Sequence, residues 1–218
     1  LNAFNALEYG YEHDRADLVT LSRATFDSYE SDGFYAGGFI REFVDFKRDT
    51  ETDIFSIRRQ SEGIYALLHY LRYEKEHGRK HPGLERKITA VLNTFLQLQA
   101  TDGSFPRKFR DDRTTVDASG GSTPSATLPL VMAYRYFGDK RYLAAAEKTA
   151  RYLESEIIGK ADYFSSTLDA NCEDKEASLY AATAMYYLAL ASDKASREHY
   201  TAMARKAAYF ALSWYYLW

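Results

Sequence analysis

Apolar residues recur at helical spacing along most of the chain, and in three stretches (84–98, 142–156 and 200–214) they fall in register. The first positions are Leu84, Tyr142 and Tyr200, and both 142 − 84 and 200 − 142 give 58 residues. Four residues on stand Ile88, Ala146 and Ala204; eight on, Leu92, Ala150 and Ala208; eleven on, Phe95, Leu153 and Ala211. Steps of four, four and three return to one helix face, so each stretch predicts an amphipathic helix. The constant period predicts a repeated unit.

Each of these helices follows another. Residues 54–76 carry Ile64, Leu67, Leu68 and Leu71 at helical spacing. Residues 125–137 open on Thr123-Pro124-Ser125, hydroxyl caps with proline in the first turn, and Pro129 stands early in the stretch as a candidate bend. Residues 176–191 are rich in Ala, Tyr and Leu. These are A helices and the repeated ones B helices; 16–29 reads as a B helix whose partner lies upstream or is missing. The expectation is one all-α domain over 1–218, with about three and a half hairpins.

The A-to-B turns are short and hold the usual helix stops, as in Gly78 to Gly83 and Gly138-Asp139-Lys140. The B-to-A connections, 31–53, 101–124 and 157–175, are long. In an antiparallel array every such connection lands at the N-terminal ends of the A helices, on one face. Long loops within a compact domain are mostly functional or disordered.

Composition narrows the function classes. Lys+Arg number 28 against 31 Asp+Glu, a formal net charge of −3, which gives no basic face for nucleic acid. No apolar run spans a bilayer. One cysteine, Cys172, excludes an internal disulfide, and the five histidines show no metal-ligand spacing, so neither metal nor cofactor is expected. The chain starts at Leu1 and stops inside the apolar run Trp214-Tyr215-Tyr216-Leu217-Trp218; it reads as a processed chain or a fragment, with that run a candidate surface for self-association.

Two motifs carry a resemblance. One is Gln99-Ala100-Thr101-Asp102-Gly103-Ser104-Phe105-Pro106, a helix end followed by an Asp-Gly-aromatic-Pro loop. The other is the run from Ser122 through Ala126 into Tyr134-Arg135-Tyr136-Phe137-Gly138-Asp139 and on to Tyr142-Leu143, a small-residue inner helix, a Gly-Asp turn and an outer helix. From about residue 54 onward the chain resembles the (α/α) toroid proteins, six-hairpin barrels common among glycoside hydrolases and polysaccharide lyases. Six hairpins of this period need about 350 residues, so a partial toroid or open arc is expected. The resemblance implies a carbohydrate substrate and is compatible with a periplasmic or extracellular location.

The candidate chemistry lies in the loops and the first turns of the A helices. Glycoside hydrolysis needs two carboxyl groups across the scissile bond. Asp102 of the second loop, with Asp169 and Glu173 of the third, are the candidates, although Asp102-Gly103 is also an ordinary turn and acids before a helix are also ordinary caps. Arg58, Gln60 and Glu62 precede the apolar stripe of their helix and are candidate substrate contacts. Arg107 suits an acidic sugar through its planar fork. Phe105, Tyr163 and Phe164 are candidate stacking surfaces. The favoured reading is a glycoside hydrolase. A lyase using Tyr163, Arg107 and Lys108 stands beside it, as does a helical-repeat module that binds without catalysis.

Overall fold

The computed structural model describes residues 1–164 and 172–215. Eight α-helices form four antiparallel hairpins: α1 (Asn2–Glu12) with α2 (Ala16–Asp32), α3 (Ile57–Glu76) with α4 (Pro82–Leu98), α5 (Thr123–Phe137) with α6 (Lys140–Tyr152), and α7 (Lys175–Ala191) with α8 (Lys194–Leu212). A π-helical turn, Leu153–Ile158, prolongs α6. Of the two alternatives for 16–29, a partner upstream is what the structure has: α1, which completes a fourth hairpin. Two asparagines and Gly10 weaken the helical signal of α1. Gly10 is there for packing: a Cβ would lie 2.9 Å from Val19 of α2.

The A helices pack on one another in chain order, α1 on α3, α3 on α5 and α5 on α7. They form the inner layer. In α5 every residue from Thr123 to Ala133 is buried, whereas α8 buries only Ala207 and Ala211. Leu67, Leu68 and Leu71 of α3, Ile88, Leu92 and Phe95 of α4 and Val131 of α5 belong to one continuous core. At the far edge Leu179, Tyr186 and Leu190 of α7, Tyr209 and Leu212 of α8, and Trp214 and Tyr215 stay exposed. Residues 216–218 of the apolar end lie outside the described residues. Among the described residues no helix is long and apolar enough to cross a membrane.

Local chemistry sets the boundaries. Ser56, Asp139, Asp174 and Asp193 cap α3, α6, α7 and α8, each accepting a backbone N–H of the first turn. Gly138 ends α5 at φ +74°, a conformation that favours glycine. Residues 54–56, expected to open the A helix, are instead a strand, because Phe55 belongs to an aromatic cluster that a helix would turn it out of.

That strand, β3 (Ile54–Ser56), pairs antiparallel with β4 (Lys108–Arg110), which pairs with β5 (Thr115–Asp117). A separate hairpin joins β1 (Val44–Asp45) to β2 (Thr50–Glu51). Phe39, Phe55 and Phe109 stack at centroid distances of 4.8–5.9 Å, and so weld the first B-to-A connection to the second. The predicted convergence is therefore physical for the first two long connections, which share a sheet.

The opposite end, where the short turns lie, is clamped by one carboxylate. Glu74 of α3 is buried, 1% exposed. It accepts from Arg79 at 2.6 and 2.7 Å and from His81 at 3.2 Å, and stands 3.7 Å from Arg23 of α2. Burial works to raise its pKa, but Arg79, His81 and Arg23 outweigh burial and hold the carboxyl below its ordinary value. A carboxyl held down in the fold stabilises it above the unfolded-state pKa, and that stability is lost as pH falls through the folded value. Glu74→Ala should cost about 3 kcal/mol, the low end for breaking a buried pair because the arginines remain partly hydrated. Thermal unfolding between pH 3 and 7 checks this. The variant should melt lower at pH 7 and converge toward the parent in acid; parallel curves would contradict the assignment.

Candidate active site

Two A helices meet across a third on the loop face. From α3, Arg58 donates to Glu62 at 3.0 Å and pairs with Glu176 of α7 at 2.7 Å. The Tyr180 hydroxyl donates to the same Glu62 oxygen, the Arg58 guanidinium lies 5.8 Å from the Tyr180 ring centroid, and the Tyr65 and Tyr187 hydroxyls meet at 2.9 Å. Three polar contacts in successive turns thus span from α3 to α7 over α5, which requires the arc to curve. They border a cavity of about 250 Å³ lined by Glu62, Tyr65, Ser125, Leu128 and Tyr180 together with Leu1. Burial would lower the Arg58 pKa, but Glu62, Tyr180 and Glu176 together raise it and hold the guanidinium charged. Burial and then Glu62 push the Tyr180 hydroxyl up, so it stays protonated and donating.

Gln60 does not face solvent, contrary to expectation. It is fully buried, and its amide is a clamp: Nε2 donates to the Ile40 carbonyl at 2.7 Å and Oε1 accepts from the Ile40 N–H at 2.9 Å. Nε2 also donates to Glu42 at 3.0 Å. Glu42 is the residue that the sequence reading missed. Its side chain is 5% exposed, and one oxygen accepts from the Ser56 N–H at 2.7 Å while the other stands 3.8 Å from Arg59. Burial is the main cause that raises its pKa, and the charge of Glu62 adds to it; Gln60, Ser56 and Arg59 pull the other way without prevailing. Glu42 lines two cavities, of about 310 Å³ and 390 Å³, and Glu62 lines the first of these as well. Nothing in the local sequence around Glu42 marks it. The signal was Gln60, a polar residue about to be buried on an A helix.

The second loop and the third form another locus. Asp102 is exposed and accepts from the Ser104 N–H at 2.9 Å and hydroxyl at 2.7 Å; these bonds hold it below its ordinary pKa, as an ionised turn residue. Glu173 accepts from the Tyr163 N–H at 3.0 Å, and burial followed by the neighbouring Asp162 carboxyl raises its pKa. A cavity of about 420 Å³ there includes Ser119, Asp162, Phe164, Cys172 and Glu173 in its wall. Asp169 lies outside the described residues.

Three expected contacts are corrected. Phe105 is 1% exposed and packs on Phe95 at 5.9 Å, so its ring belongs to the core. Tyr163 is likewise buried, 4.3 Å from Phe210 of α8. Arg107 is 5% exposed; its guanidinium stands 3.7 Å from Asp117 and its carbonyl accepts from the Ile57 N–H. Arg107 and Tyr163 stand next to a strand and a bridge, and the Phe105 N–H donates to the Thr123 hydroxyl; each side chain is turned inward. Phe164 keeps its place in a cavity wall.

No protein-family model and no curated protein matches the chain. Solved structures do. A UGL variant with dGlcA-Glc-Rha-Glc aligns over 99% of the chain and 61% of its own at TM-score 0.74 and 14% identity. An unsaturated glucuronyl hydrolase responsible for the degradation of glycosaminoglycan, from Bacillus sp. GL1, aligns over 97% of the chain and 60% of its own at TM-score 0.68 and 14% identity. Cellobiose 2-epimerase from Bacillus thermoamylovorans B4167 gives TM-score 0.68 over 99% and 59%, at 15% identity. The fold is an all-α, (α/α) toroid-type fold. The chain spans about three-fifths of the length of each of these structures. At such identity the likeness carries the fold and none of the side-chain chemistry.

Gln60→Leu tests the clamp. It leaves the Ile40 N–H and carbonyl buried and unpaired, at about 1–3 kcal/mol per group. It also removes a hydrogen bond that lowers the Glu42 pKa. We expect a lower melting temperature and an upward shift of the Glu42 carboxyl resonance titration by NMR; a fall or no change in that pKa would refute the clamp's role.

Proposed function

We propose that the protein is a glycoside hydrolase acting on a uronate-containing oligosaccharide, with Glu42 as general acid and Glu62 as the opposing carboxylate. The observation that carries this reading is the contrast between the two acids. Glu42 is buried and retains its proton above the ordinary carboxyl range, whereas Glu62 is paired with the Arg58 cation. A buried carboxyl that holds its proton suits the acid role, and a carboxylate fixed by an arginine suits the opposing one. The contacts of Glu62, from Arg58 and Tyr180, both end on Oε1, which leaves Oε2 without a hydrogen bond among the described residues.

In this mechanism the Glu42 proton passes to the glycosidic oxygen as the bond from that oxygen to the anomeric carbon breaks, and the leaving sugar departs as an alcohol. Water adds to the anomeric carbon and gives its proton to Glu62. Arg58 and Tyr180 fix the Glu62 carboxylate so that it need not reorganise. A uronate substrate fits Arg41, which lines the cavity that Glu42 and Glu62 share, and it is the sugar in the names of the glucuronyl hydrolases with this fold. The lyase alternative weakens because Tyr163 and Arg107, two of its three candidate groups, are buried.

The test is sugar release, measured by mass spectrometry, from oligosaccharides that end in an unsaturated glucuronyl residue, with cellobiose as the neutral comparison. Cleavage of the former is expected, and Glu42→Gln should lower kcat about 10²–10⁴-fold, the usual contribution of a general acid. An acid must be protonated to act, so kcat/KM should fall as pH rises through the raised Glu42 pKa, and Glu42→Gln should erase that limb. Conversion of cellobiose to an isomer with no cleavage of any substrate would replace this reading with epimerisation.

A further inference from the structure

The larger cavity beside Glu42, of about 390 Å³, shares Glu42 and Arg59 with the first cavity but is not lined by Glu62. Phe43, Thr52 and Ile54 form part of its wall, and its charged members are Glu42, Arg59 and Lys108. Lys108 stands on β4 between Ser56 of β3 and Asp117 of β5. Among the described residues no hydrogen bond or ion pair reaches its ammonium group. Asp117 feels the Lys108 charge but is already engaged by the Ser119 N–H at 2.9 Å and by Arg107 at 3.7 Å. Arg59 is 48% exposed, and its one carboxyl neighbour is Glu42 at 3.8 Å, beyond hydrogen-bond reach. Of the surrounding cations, Arg110 pairs with Asp53 at 2.6 Å, and Arg41 lines the other cavity and not this one. Two positive groups in a cavity with apolar walls therefore lack a full counter-charge. Phe43 offers them a 60% exposed ring at the rim.

We propose that this cavity is a second sugar subsite for an anionic substituent, a carboxylate or a sulfate ester, held by Arg59 and Lys108 with Phe43 against the sugar ring. Its place next to the cleaved residue rests on the hydrolase reading above; its preference for an anion does not. Carboxylate and sulfate present the same acceptor oxygens to a guanidinium and an ammonium group. Ion pairing in a partly enclosed site weakens with ionic strength, which a purely stacked neutral sugar would not do.

Calorimetric titration of the whole chain with methyl glucuronide, glucose 6-sulfate and glucose, at low and high salt, tests the subsite. At least one anionic sugar should bind more tightly than glucose and lose affinity in salt, and the tighter of the two identifies the substituent. Lys108→Gln should weaken the anionic sugar about tenfold, the scale of one charge-assisted hydrogen bond, and leave glucose unchanged, with an unaltered melting temperature as the control for folding. Equal binding of all three sugars, no binding at all, or an indifferent Lys108→Gln variant would overturn the subsite. Anion binding that depends on Lys108 in a protein that cleaves no glycoside would sink the hydrolase reading and keep the subsite. Cleavage with no anion preference would do the reverse.

Discussion

Gln60 gives both ends of its amide to one residue's backbone, the N–H and carbonyl of Ile40, inside a core with no water to compete. A buried polar group without a partner is costly, so this double contact leaves the first long connection little freedom. The connection must cross α3 at that point, which puts Glu42, two residues on, against the Gln60 amide, the Ser56 N–H and Arg59. The burial of Glu42, its raised pKa and its two adjoining cavities all follow from where the clamp pins the loop.

The aromatic cluster of Phe39, Phe55 and Phe109 fixes the other side of the same loop. It joins the first connection to the second through β3 and β4, so the loop face is a small sheet laid over helix ends and not a set of free strands. This matters for Glu42 because a carboxyl keeps a shifted pKa only while its surroundings keep water out. The helices contribute the complementary half. Arg58, Glu62, Glu176 and Tyr180 are held at helical spacing on α3 and α7, and the curvature of the arc brings the two faces together.

Much of the fold was legible because helical periodicity is a local property of the chain. The 58-residue register marks α4, α6 and α8, the apolar stripes mark α3, α5 and α7, and the unequal connections point to one functional face. The first helix was left open because Gly10 serves contact with Val19 at the expense of local preference. Of the candidate site, Arg58 and Glu62 were visible as polar groups ahead of an apolar stripe. Phe105, Arg107 and Tyr163 were misplaced because a loop sequence does not say which side chains it turns inward.

The sequence by itself determined the helical hairpins, their order, the face that gathers the long loops and the types of group available there, since each depends on neighbours within a few turns. Only the tertiary structure decided which carboxyl is buried beside which cation. Asp102 caps a turn in water, whereas Glu42, unremarkable in its own segment, enters a dry wall next to Glu62. The proton affinity of a carboxyl is set by distant parts of the chain that remove its water and bring up other charges, and no local pattern records them.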